Sequence, residues 1–244
     1  MHRGFSLAAA PLPRVLRPCH MLAVIALAAA APSVAADLGG SVAVLSDLRF
    51  RGLSLSDRQP VATANATVAS GALFAGIEAT SSSRGRTGIG PRSAEVDVSG
   101  GISRRLGLIT ASAGAIGYFY PSGAGAVGEV FATVEAGVGP VTVTAGANYA
   151  PVQGNAQGGD LYLFTRASGS IPATPVTLHA AAGREAGVFA GGLVKLDWSA
   201  GIDVAVLRRV TLRVDYVGND LPRTTGQAQR VRSDGVVARA ALRF

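Results

Sequence analysis

Asp47, Arg49 and Arg51 are charged residues at alternate positions, and no other pattern in the chain points as directly to chemistry. Residues two apart on a strand share a face, so an extended segment would present all three as one charged row. Such a row either filters or binds anions in a water-filled pore, or is consumed in ion pairs with acids on neighbouring strands. Glu78, Glu95 and Asp97 are the acids that neighbouring strands would supply. Arg213, Arg239 and Arg243 pose the same choice with Asp203 and Asp215. Glu129, Glu135, Arg166, Lys195 and Asp197 also fall on the polar positions of alternating segments and join the set expected to line a pore.

Catalysis finds little support. Beyond residue 36 the chain keeps a single histidine, His179, on a polar strand face near Thr177. A hydrolase would need a serine within hydrogen-bond reach of it, so we expect no enzyme. One histidine without cysteine builds no metal site, and neither a metal nor a cofactor is expected. Gly39-Gly40, Gly100-Gly101 and Gly191-Gly192 read as strand edges or bulges, where glycine relieves crowding, rather than as phosphate loops.

The elements that must position these charges follow from composition and period. The 244 residues are 48% hydrophobic and only 15% charged, with 32 glycines. Disorder is excluded by the low charge, collagen by glycines without a period of three, and a disulfide scaffold by the lone Cys19. Residues 1–36 read as a secretory signal: Arg3, Arg14 and Arg17 precede the apolar run Met21–Ala31, and small residues lead to Asp37. Removing them takes the net charge from +7 to +4. The arginines that remain are scattered, so nucleic acid is not an expected partner. No later stretch approaches the ~18 consecutive apolar residues of a spanning helix.

From residue 37 to 244 the dominant period is two. Val194, Leu196, Trp198, Ala200, Ile202 and Val204 alternate with Lys195, Asp197, Ser199, Gly201 and Asp203. This is longer than an ordinary strand and matches the ~9–11 residues that cross a bilayer. About twelve such segments recur, although the faces of the Gly/Ala-rich Leu106–Tyr120 cannot be assigned. The first strand is read as running from Ser41 through Arg51. Connections alternate between short (Ser70-Gly71, Gly137–Pro140, Leu207–Arg209) and long (Ser81–Ser93, Ala150–Gly159, Gly218–Asp234), as in outer-membrane barrels. Phe50, Tyr118, Tyr120, Tyr149, Tyr162 and Tyr216 lie near the expected outer strand ends, where an interfacial girdle would form. Phe244, preceded by alternating apolar residues, looks like a C-terminal assembly signal read by the barrel assembly machinery. The fold expected is all-β, an antiparallel up-and-down transmembrane barrel of about twelve strands.

The segment Ser46-Asp47-Leu48-Arg49-Phe50-Arg51-Gly52-Leu53-Ser54-Leu55-Ser56, followed by Pro60, resembles the opening of the TorF family of proteobacterial outer-membrane proteins, taken as porins. Glu95-Val96-Asp97, Tyr118-Phe119-Tyr120-Pro121, Glu129 and Gly158-Gly159-Asp160-Leu161-Tyr162 echo it further on. Leu48 replaces the family's usual tyrosine. The resemblance implies an outer-membrane β-barrel in a Gram-negative bacterium and leaves the solute open. The function expected is a porin-like channel for passive diffusion of small solutes. The alternative is a closed structural or adhesive barrel acting through its outer loops. Those loops carry Arg58, Arg84, Arg86, Arg92, Arg184, Arg223, Arg230 and Arg232, and guanidinium groups suit the phosphates of lipopolysaccharide. Outer-membrane lipid and lipopolysaccharide are thus the expected surroundings.

Overall fold

The computed structural model describes residues 36–85, 92–121, 125–154, 158–222, 231–232 and 234–244. The expected signal segment before Ala36 and the loop residues Arg86, Arg223 and Arg230 lie outside the described residues. Period-two alternation becomes strand throughout. After β1 (Asp37–Leu45) come two short pieces, β2 (Arg49–Phe50) and β3 (Leu53–Ser54). The long strands follow: β4 (Val61–Ser70), β5 (Leu73–Ser83), β6 (Ser93–Leu106), β7 (Ile109–Tyr120), β8 (Gly125–Val138) and β9 (Val141–Ala150). They continue with β10 (Asp160–Ser170), β11 (Val176–Gly187), β12 (Val194–Leu207), β13 (Val210–Asn219) and β14 (Gly235–Arg243).

β1 and β4 to β14 form one closed antiparallel barrel of twelve strands, each paired with its sequence neighbour. An even number lets the first and last strands meet antiparallel, and β1 pairs with β14 from Ser41↔Arg243 to Leu45↔Arg239. Closure removes the unpaired edges that an open sheet would expose. Phe244 completes the seam with two backbone hydrogen bonds to Gly40, each 3.1 Å. The outer wall is apolar: Leu196, Ile202, Val214, Leu178 and Val134 face outward, while Lys195 and Asp197 between them face the lumen. Short turns gather at one end of the barrel and the longer connections at the other.

Glycine has a role in the wall that the sequence reading does not include. Phe74 pairs across the ladder with Gly101, Phe131 with Gly114, and Phe164 with Gly146. In each pair the ring covers its partner glycine, so that a Cβ there would meet the ring's Cζ at 2.9, 2.9 and 2.6 Å. Glycine opens the pleat and the cross-strand aromatic fills it. Gly101 is therefore an interior strand residue under a ring rather than a strand edge or bulge.

Two expectations are corrected. The first strand ends at Leu45, so Asp47, Arg49 and Arg51 do not climb the wall; residues 46–60 fold into the lumen. The physical reason is the turn Arg51-Gly52. Both residues have positive φ, 47° and 81°, the signature of a two-residue type I′ hairpin, here joining Phe50 to Leu53. The girdle is also smaller than expected. Tyr149 and Tyr216 face outward at 47% and 49% exposure, but Tyr118, Tyr120 and Tyr162 are buried inside, and Phe50 sits on the in-folded hairpin.

Candidate functional site

A twelve-stranded barrel is wider than the eight-stranded kind that side chains alone can fill, and the in-folded segment occupies the difference at the long-connection end. Its apolar residues make a small core of their own: Leu53 and Leu55 pack with Leu221 and Val231 from the β13–β14 connection, with Leu48 and Phe50 beside them. Its polar residues close on Asp47. Ser54 Oγ donates to Asp47 Oδ1 at 2.6 Å, Ser56 Oγ donates to the same oxygen at 2.9 Å, and Arg49 Nε meets Oδ2 at 2.6 Å. Asp47 and Arg49 thus serve the hairpin's internal structure.

Arg51, at the hairpin tip, reaches the opposite wall. Its guanidinium donates to Glu129 on β8 at 2.7 Å and to Glu185 on β11 at 2.7 Å, with Asp160 on β10 at 3.5 Å. It also lies over the rings of Phe50 and Tyr162, 4.4 and 4.3 Å from their centroids. Lys195 on β12 donates to the backbone oxygen of Arg51 at 2.5 Å and pairs with Glu185 at 2.5 Å. Tyr118 and Asn148 donate to Glu129 at 2.9 and 3.2 Å, and Tyr162 donates to Asp197 at 3.0 Å. Gly52 allows this close docking. Its φ of 81° disfavours other residues, and a Cβ there would stand 2.7 Å from Gly218 O. Asn219 Nδ2 donates to Gly52 O at 3.1 Å.

The remaining residues expected to line a pore all project inward on their strands, and they fall into separate groups. Arg213 makes a bidentate pair with Asp203, both bonds 2.7 Å. His179 lies between two carboxylates, Nε2 at 2.5 Å from Asp215 and Nδ1 at 3.3 Å from Asp203. Ser168 stands opposite His179 in the ladder, but both ring nitrogens face acids. Arg166 lies over Phe164 at 4.4 Å, and Glu135 accepts from Thr144 at 3.2 Å. Glu78, Glu95 and Asp97 line one wall, and Arg239 on β14 interacts electrostatically with Glu78. Glu185 and Asp160 were not anticipated, although Glu185 alternates with His179 and Thr177 and could have been assigned to the inner face by period alone.

Two cavities flank the hairpin. One, of about 650 Å³, runs past Arg166, His179, Arg213 and Asp215. The other, of about 440 Å³, runs along β4 to β6 past Asn65, Thr67, Glu78 and Asp97. Arg49, Phe50 and Tyr118 border both, and the Phe50 and Tyr118 rings meet edge-on with centroids 6.2 Å apart. Among the described residues no group of three or more histidine, cysteine or acidic side chains is arranged to hold a metal.

A closed antiparallel barrel with an apolar outside, a charged inside and an in-folded loop is the architecture of porins and related outer-membrane channels. The chain belongs to the family described as bacterial protein of unknown function (Gcw_chp), whose model matches residues 29–241. Similar solved structures include the NanC porin, at 11% identity and a TM-score of 0.56 over 85% of this chain and 99% of that one. The KdgM porin matches at 6% identity and a TM-score of 0.57, over 85% and 98% of the two chains. An outer-membrane channel of Pseudomonas putida F1 matches at 10% identity and a TM-score of 0.53, over 88% and 97%. No curated protein matches by sequence.

Proposed function

We propose that this protein is an outer-membrane channel of porin type through which small solutes diffuse passively, with the hairpin of residues 46–60 as its constriction. The observation that carries this reading is the hollow, polar lumen. A barrel serving structure alone gains by filling its interior, yet cavities of about 650 and 440 Å³ persist on either side of Arg49 and Phe50. The outer wall supports the location. Exposed Leu, Ile and Val on strand after strand far exceed the few hundred Å² of apolar patch that soluble monomers tolerate, and hydrocarbon is the solvent that suits them. The resemblance of residues 46–56 to the TorF family points the same way, with the barrel assembly machinery and lipopolysaccharide as partners in biogenesis and in the membrane.

The in-folded hairpin is also what favours the second reading, a closed barrel acting through its outer loops. Purified protein in planar bilayers separates the two: discrete current steps support the channel, and silence at all voltages overturns it. His179 is read as a lumen residue held between two carboxylates without a catalytic role, because Asp203 and Asp215 engage its ring. The parent protein and the variant His179→Ala should therefore both stay at background in an ester-hydrolysis screen, and hydrolysis by the parent that the variant loses would overturn this reading.

A further inference from the structure

Arg49, Arg51, Arg166 and Arg213 line the larger cavity, and three of them are engaged. Arg49 is held by Asp47, Arg51 by Glu129 and Glu185, and Arg213 by Asp203. Arg166 differs. All 15 acids of the chain lie among the described residues, and none of them forms an ion pair with it. Its guanidinium, exposed to the lumen, makes no hydrogen bond to a described residue either.

The side chain is nonetheless positioned. Its guanidinium lies over the Phe164 ring at 4.4 Å, a favourable seat for a cation. Phe164 is stacked on Tyr162, with centroids 5.5 Å apart and planes 21° from parallel. A group seated in this way loses less freedom when it meets a ligand. With one face on the ring, Arg166 presents to the cavity a planar fork of N–H donors, which matches the two oxygens of a carboxylate. Thr142, Ser168 and Ser199 line the same cavity, and their hydroxyls bond to no described residue. Ser168 stands opposite Thr142 on the next inward rung of the ladder, within the reach of a hydroxylated solute held at Arg166. Glu135 shares the rung of Arg166 two strands away, with Thr144 between them donating to it at 3.2 Å. One guanidinium neutralises one negative charge, and the second charge of a phosphate would be left facing Glu135.

We propose that Arg166, on its Phe164 seat, is a binding subsite for small hydroxylated monocarboxylates in the larger cavity. This rests on the channel reading above. The test is the KCl current of the full mature protein in a planar bilayer, titrated with gluconate and with sorbitol. The two solutes are alike in size and differ in a carboxylate against a CH₂OH group. Gluconate should interrupt the current at a concentration at least about tenfold below that of sorbitol, the scale of a charged hydrogen-bonded contact. In Arg166→Gln, measured against that variant's own KCl current, gluconate should act only at the concentration of sorbitol. Inorganic phosphate, as the dianion, should interrupt the parent's current less readily than gluconate. Equal action of gluconate and sorbitol on the parent, undiminished action of gluconate on Arg166→Gln, or stronger action of phosphate overturns the subsite and leaves the channel standing. No current from the parent protein overturns the channel itself, and the subsite with it.

Discussion

Replacing Arg51 with methionine keeps most of the side-chain length and removes the cation that meets Glu129 and Glu185 at 2.7 Å each. Those acids are 2% and 0% exposed, so the loss is felt in a setting that water screens poorly. Removing one partner of a buried pair costs about 3–5 kcal/mol. Lys195 remains 2.5 Å from Glu185, and Tyr118 and Asn148 still donate to Glu129, which places the cost near the lower figure. The positive φ of residue 51 is common to both proteins and cancels. The twelve-stranded ladder does not depend on this side chain, so the effect falls on docking of the hairpin. About 3 kcal/mol, at about 1.4 kcal/mol per factor of ten, shifts the undocking equilibrium roughly a hundredfold. The assay uses the absence of cysteine after Cys19. A Leu55→Cys reporter, at a position 1% exposed, is labelled by a water-soluble maleimide only when the hairpin leaves its seat. Arg51→Met should speed labelling about a hundredfold and enlarge or lengthen open events in the bilayer, and Arg51→Lys should fall between the two. Unchanged labelling and unchanged current in Arg51→Met would refute the assignment of the arginine as the latch.

Gly146→Val replaces a poor strand former with a good one, yet its Cβ would meet Phe164 Cζ at 2.6 Å and Ala132 O at 2.9 Å. We expect about 1–3 kcal/mol of overpacking strain, read as a lower temperature for loss of the compact band on unheated gels. Phe164→Ala in the same chain should recover part of it, and a valine variant at least as stable as the parent would contradict the ring-over-glycine account. Trp198, the only tryptophan, faces outward at 38% exposure. In reconstituted vesicles brominated lipid should quench its fluorescence and aqueous iodide should not; the reverse would remove the outer wall from the bilayer. Arg92→Gln with Arg184→Gln, both exposed near the long connections, should reduce lipopolysaccharide co-purification, and equal recovery would rule out a phosphate contact there.

Much of the wall was legible because a strand in a closed barrel faces two solvents, and period two records both. Val194 to Val204 shows it plainly: each odd residue faces in and each even one out, as the types alone require. Antiparallel closure and the sorting of connections follow from the number of segments and their spacing. The segment after Leu45 misled for the same reason. Asp47, Arg49 and Arg51 keep the alternation of a wall strand while the chain leaves the wall. A local signal for the departure was present in Arg51-Gly52, a two-residue hairpin turn between Phe50 and Leu53. Leu53 and Leu55 then alternate with Ser54 and Ser56 over a stretch too short to span a membrane.

What the sequence determined by itself is the binary pattern: which residues face out, that the strands are long enough to cross, and that the pairing is antiparallel. Those properties depend on neighbours one to a few residues away. Which charges meet was decided only by the tertiary structure. Arg51 and Glu129 are 78 residues apart, and Arg51 and Glu185 are 134 apart; they touch because barrel closure places β8 and β11 across from the hairpin. The same closure turned a row of arginines that could have drawn anions into a neutralised latch. Contacts of that range are set by the curvature of the whole sheet, which no local period encodes.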